Sequence, residues 1–167
     1  MSMDMLQNLL GGGQKRKEYE DFVGRYDQGE PWEGIDDDEA VSRHDEIASH
    51  LSEDDYELSA REAFERLSPQ QRKELGRMMR QQGKQRQVDL GEFDSDDEER
   101  YSDPQHLARM TRQVRKQKPD MMSQLLGGGG GGCGGGRGGV GGMLSNPVAK
   151  AALAGVAAMA AKRIFKK

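Results

Sequence analysis

Cysteine is almost missing from this chain, and with it goes a set of functions. The one thiol, Cys133, excludes an intrachain disulfide framework and any zinc cluster built on cysteines, and it fits a reducing compartment. Aromatic residues make up 5% of the chain and apolar residues 34%, against roughly 45–50% (glycine included) in ordinary globular domains. So little apolar surface cannot order every segment against the backbone entropy of folding. A core of about 70 residues, near the lower limit for independent folding, is expected. Long hydrophobic runs are absent too: no stretch reaches the ~18–20 apolar residues that span a bilayer. The first ten residues have no basic segment ahead of an apolar run, the pattern of a secretory leader. The expected location is cytoplasmic, with peripheral contact at a membrane as the variant.

Catalytic signatures are missing as well. His44, His50 and His106 have no metal-ligand spacing, since His44 and His50 are six apart and zinc helices use i and i+4. No phosphate-binding loop occurs, and the glycine tract has no strand-then-helix setting for a dinucleotide. The acidic run Asp94–Glu99 lacks the central glycine and the final glutamate of a calcium loop. Neither an enzyme nor a cofactor, metal or small-molecule substrate is expected.

What is present is charge in blocks. The net charge is −4, but residues 30–66 hold fourteen acids and three bases, and residues 72–86 hold six bases and one acid. Residues 89–103 then hold eight acids and one base, and residues 105–118 five bases and no acid. Local polarity is therefore the informative quantity.

Helical signals run through the first half. Tyr19, Phe22, Val23 and Tyr26 share one helix face over residues 15–28, after which Trp32 and Ile35 read as an anchoring loop. Asp36 with Glu39 reads as a capping box, opening a helix that buries Ala40, Val41, His44, Ile47, Ala48 and Leu51. Ser52 caps a third helix with Tyr56, Ala60, Ala63, Phe64 and Leu67 inside. Ser68-Pro69-Gln70-Gln71 supplies cap, N1 proline and N3 glutamine for a fourth, carrying Leu75, Met78 and Met79. Asp103-Pro104 starts a further helix with Leu107, Met110, Thr111 and Val114 on one stripe. No strand-period run competes, so the expected class is all-α.

The expected organisation is a short apolar helix and glycine stop at 1–13, a helical bundle at 14–86 and an acidic linker at 87–103. A basic amphipathic helix with a second short apolar helix follows at 104–126. A disordered glycine tether at 127–142 then leads to an isolated, cationic, alanine-rich helix at 143–167.

The segments Tyr19-Glu-Asp-Phe-Val-Gly-Arg-Tyr-Asp-Gln-Gly29, Trp32-Glu-Gly-Ile35 and Ser59-Ala-Arg-Glu-Ala-Phe-Glu-Arg-Leu-Ser-Pro69 resemble a family of small bacterial proteins. A Leu-Leu-Gly-Gly ending before a glycine tract is similar as well. The resemblance covers roughly residues 19–79, and it implies no activity, because that family has none assigned.

Three candidate surfaces follow. Asp4-Met-Leu-Gln-Asn-Leu-Leu-Gly11 aligns without gaps to Asp120-Met-Met-Ser-Gln-Leu-Leu-Gly127, a repeated short motif. Its apolar residues, Leu6, Leu9 and Leu10 with Met122, Leu125 and Leu126, read either as cover for the core or as sticky elements for a protein partner or a second copy. The C-terminal helix, with Leu153, Val156, Lys162, Arg163 and Phe165, has three open uses: partner or self-association, an anionic membrane surface, and docking on its own bundle. Finally Arg72, Lys73, Arg77, Arg80 and Lys84, with Arg109, Arg112 and Arg115, are candidate nucleic-acid contacts. Against that reading, the basic stretches carry no interleaved aromatics, and pairing with the acidic segment explains the same blocks.

Overall fold

The computed structural model describes residues 13–29, 34–118 and 147–165. The fold is all-α: helices α1 (Gly13–Gln28), α2 (Asp37–Ala48), α3 (Glu53–Glu65), α4 (Pro69–Gln85), α5 (Pro104–Gln117) and α6 (Pro147–Phe165), with 3-10 turns at Gly91–Phe93 and Glu98–Ser102. The two short Met-Leu motifs, Trp32 and the glycine tether lie outside the described residues.

Local chemistry sets the helix starts. Ser52 accepts from the Asp55 amide, and three acids in the following turn suit the helix dipole. Ser68 and Gln71 form a reciprocal capping box ahead of α4, and Asp103 caps α5 through the Gln105 amide. Asp36 behaves differently. It stands at the N-cap of α2 without a side-chain hydrogen bond, and Glu39 does not reach back to complete a box. The Glu39 carboxylate instead accepts hydrogen bonds from both terminal nitrogens of Arg25, at 2.8 and 2.7 Å. A bidentate arginine on a carboxylate is the stronger interaction and fixes α1 against α2.

The expected apolar faces are inside. Tyr19, Phe22, Tyr26, Ala40, Ile47, Tyr56, Ala60, Ala63, Phe64, Leu75, Met79, Leu107, Met110 and Val114 are almost inaccessible, and Ile35 joins them. Val23, Val41 and Met78 are only partly buried against the same core.

The C-terminal helix is where the expectation of an isolated element is corrected. Every residue from Ala151 to Ala161 is buried, and α6 packs against α3, α2 and α1, in that order of contact. A helix apolar on all sides is the middle of a bundle. Alanine and glycine allow that close approach: a Cβ on Gly155 would lie 2.7 Å from the Ala63 Cβ and 2.8 Å from the Tyr26 hydroxyl. The head therefore comprises α1–α3 and α6, residues far apart in sequence, and the bundle does not end near residue 86.

The expected acidic linker also differs. After Gln87, held in the left-handed region (φ 59°), the chain turns back along α4. Val88, Leu90, Phe93 and Tyr101 are buried. Tyr101 seats its ring on Gly76, where a Cβ would come within 2.4 Å of it, and its hydroxyl donates to the Phe93 carbonyl at 2.8 Å. Residues 88–103 thus form a strap pinned by apolar side chains.

Candidate interaction surfaces

The first surface is the groove that holds α6. At its C-terminal end Lys162 reaches Asp27 at 2.7 Å, Arg66 reaches the same Asp27 oxygen at 2.9 Å, and Arg163 pairs with Glu62 at 2.5 Å. The Arg16 guanidinium lies over the Phe165 ring, 5.6 Å from its centroid. Leu153 and Val156, candidates for partner or lipid contact, are each 1% exposed and belong to the core. Lys162 and Arg163 face protein carboxylates, and Phe165 packs on the core as a half-buried side chain. In this structure α6 presents none of these five residues as a free apolar or cationic face.

Burial alone works against ionisation of Asp27, but hydrogen bonds from Lys162 and Arg66 outweigh it and hold the carboxyl below the usual range. Glu39 is held low chiefly by its hydrogen bonds from Arg25. A depressed carboxyl pKa contributes stability above the unfolded value, about 4, and that contribution disappears as pH falls through the folded value. Urea midpoints are therefore expected to drop as pH falls below about 4. Asp27→Asn is expected to be less stable at neutral pH and to show a shallower acid slope. An unchanged slope in chemical denaturation from neutral pH to about pH 2 would refute the assignment to Asp27.

A second surface is the α4–strap contact. Lys73 pairs with Glu99, Arg77 with Glu98 at 3.5 Å, Arg80 with Asp94 at 2.7 Å and Asp96 at 2.6 Å, and Lys84 with Asp94 at 3.2 Å. Arg72, the remaining candidate on this helix, is half-buried, with its Nε inaccessible to solvent. Arg80 and Lys84 hold the Asp94 carboxyl low. These pairs are exposed to solvent and add little to stability.

The α5 candidates are committed elsewhere. Arg112 clasps Glu53, Asp54 and Glu57 at the start of α3, its closest approach being 2.8 Å to Glu57, and Arg109 stands 3.8 Å from Glu57. Arg115 donates to the Ala48 carbonyl and lies over the Tyr56 ring, 4.5 Å from its centroid. Cation–carboxylate and cation–ring contacts thus fix α5 on α3 and on the end of α2.

Beneath Arg115, among the described residues, sits an arrangement of catalytic residue types. His44 Nε2 lies 2.8 Å from the Tyr56 hydroxyl and His44 Nδ1 3.1 Å from Asp45. Burial pushes the Tyr56 phenol well above its ordinary pKa. His44 is 2% exposed and Tyr56 fully buried, so the pair satisfies two polar groups inside the core. His106 stacks edge-on with Phe93, 5.1 Å between centroids, and burial lowers its pKa. It serves as a packing residue under the strap.

A cleft of about 520 Å³ lies along the outer face of α1, with Gln14, Lys17, Glu18 and Asp21 on its wall. These four carry no nucleophile and no histidine. Among the described residues there is no group of three or more histidine, cysteine or acidic side chains placed to hold a metal ion, and no helix long and apolar enough to cross a membrane.

The functional residues that sequence reasoning missed are the acceptors: Asp27 and Glu62 for α6, and Glu53, Asp54 and Glu57 for α5. Their signal, acids on helices that also carry the apolar faces, is indistinguishable from solvation until the partner helix is placed. Phe93 and Tyr101, two aromatics inside an otherwise acidic run, were the available sign that residues 88–103 dock. No protein-family model, curated protein or solved structure matches the chain.

Proposed function

We propose that the protein is a non-enzymatic assembly module that associates with a protein partner or a second copy through its repeated Met-Leu motifs, residues 4–11 and 120–127. The observation that carries this reading is that the main candidate contacts among the described residues are met from within the chain. The apolar surface of the described helices is gathered into one core, Lys73, Arg77, Arg80 and Lys84 of α4 and Arg109 and Arg112 of α5 face carboxylates of the same chain, and α6 is enclosed. The repeated motifs add the apolar residues Leu6, Leu9, Leu10, Met122, Leu125 and Leu126 to those already in that core. The methionines of the motifs are unbranched and polarizable, and such side chains adapt to varied surfaces.

The burial of α6 moves the proposed contact away from the C-terminal helix. Contact of that helix with an anionic membrane requires it to leave the core, which exposes the groove it fills. Nucleic-acid contact requires the α4 and α5 cations to exchange their carboxylates for phosphates.

The test is the mass of the full chain in solution, by light scattering across a concentration series, beside a variant carrying Leu9→Ser, Leu10→Ser, Leu125→Ser and Leu126→Ser. The expected result is self-association that the variant loses while its helical circular dichroism is kept. Where the wild type stays monomeric, a crosslinking pull-down should recover a partner that the variant does not. A partner or oligomer retained equally by both proteins would overturn the reading.

A further inference from the structure

The strap and α4 carry a correspondence that stability does not require. Lys73, Arg77, Arg80 and Lys84 recur at intervals of four, three and four, so they form one row along the helix, about 16 Å long at 1.5 Å per residue. The strap runs antiparallel to it, and its carboxylates meet the row in reverse order: Glu99 with Lys73, Glu98 with Arg77, Asp96 and Asp94 with Arg80, Asp94 with Lys84. What holds the strap down is separate from its charge. Tyr101 is buried on Gly76, Phe93 is buried near the other end, and the Tyr101 hydroxyl bridges the Phe93 and Ser95 carbonyls at 2.8 and 3.0 Å. The acids themselves are exposed, the Asp96 side chain to 95% and that of Glu99 to 75%.

We infer that the basic row of α4 is a binding site for a nucleic-acid phosphate backbone, and that the acidic strap occupies it as an internal mimic of that backbone. A row of carboxylates held by apolar anchors presents anionic oxygens, in order along the helix, to the same guanidinium and ammonium groups that would take phosphates. Exchange is feasible because the competing pairs are solvent-screened. The row carries no aromatic residue, so the site reads charge and not bases, and a duplex suits it better than a stacked single strand. This inference is independent of the Met-Leu motifs and of the assembly reading.

The experiment uses the full chain with Asp94→Asn, Asp96→Asn, Glu98→Gln and Glu99→Gln, keeping Phe93 and Tyr101. Binding to a fluorescently labelled DNA duplex of about 20 base pairs is followed by anisotropy at several salt concentrations. Relative to wild type the variant is expected to bind at least ~10-fold more tightly near 50 mM salt. Its log K should fall against log salt with a slope of about −3.6, the value for four phosphate contacts. Adding Lys73→Gln, Arg77→Gln, Arg80→Gln and Lys84→Gln should abolish the gain. A charge-matched control with Glu20→Gln, Asp21→Asn, Asp36→Asn and Glu65→Gln removes as many acids away from both basic helices and should gain clearly less. The inference is overturned if the strap variant, with its helical dichroism intact, binds no better than wild type. It is overturned equally if the control gains as much. Should the fourfold variant unfold, Asp94→Asn with Asp96→Asn frees Arg80 and Lys84 alone and should show about half the slope; no gain there has the same meaning.

Discussion

A chain that stops at Asn146 is expected to lose cooperative folding altogether, and not merely a tail. Helix α6 buries Val148, Leu153, Val156, Met159 and Ile164 together with its alanines. Fully burying one side chain of the larger kind contributes about 1.5–3 kcal/mol, so the five amount to on the order of 10 kcal/mol before entropy is counted. A small domain has a net stability of only about 5–15 kcal/mol. Removing α6 also leaves the facing surfaces of α1, α2 and α3 open to water, including Ala63 and Tyr26 beside Gly155. The Tyr26 phenol, pushed up to about 12 by burial, would return towards its ordinary value. Thermal melts by circular dichroism should change from one sharp transition to a broad decline, with more helix lost than α6 itself accounts for. A truncated chain that melts cooperatively within a few degrees of the full one would show that α6 is dispensable.

Gly155→Leu is expected to cost about 3 kcal/mol or more, because overpacking a closed core forces backbone shifts. The milder Gly155→Ala tests the geometry by its sign. On an open helix that change gains about 1 kcal/mol in propensity. Here the new Cβ would stand 2.7 Å from the Ala63 Cβ and 2.8 Å from the Tyr26 hydroxyl, separations that a packed side chain does not tolerate. Gly155→Ala should therefore destabilise the protein, and Ala63→Gly should recover part of the loss. The double-mutant cycle is expected to show a coupling between about 0.5 and 3 kcal/mol. Additive single effects in urea titrations would mean that residues 63 and 155 do not touch.

The local layer of this fold was legible in the sequence. Ser52, Ser68 and Asp103 cap the helices they were expected to cap, because a cap depends on residues within one turn. The core faces of α1–α5 followed from helical periodicity for the same reason. The place of α6 was not legible. Its run of alanine has almost no preferred face, so periodicity could not say which side is buried, and each alanine buries too little area to announce a core position. Length compared with a bilayer and basic residues near the C-terminus suggested an outward role, whereas Asp27 and Glu62, 135 and 101 residues away in sequence, receive those charges. Glu39 shows the same lesson on a smaller scale: its spacing from Asp36 fits a capping box, and a long-range arginine claims it.

The candidate surfaces were legible as residue types and not as availability. The basic rows of α4 and α5 were visible, but their occupancy depends on tertiary neighbours. The strap was hidden by its own acidity, since eight acids in residues 89–103 dominate a composition argument that Phe93 and Tyr101 contradict.

Helix α6 is the central helix of the head, packed on α1, α2 and α3. Amide hydrogen exchange on the intact chain measures this most directly, because protection of a core helix is lost only when the whole domain opens. Amides from Ala152 to Ala161 should exchange as slowly as those of α3, with an opening free energy equal to that from urea unfolding. Exchange of those amides at rates near those of a free alanine-rich peptide, while α3 stays protected, would contradict it.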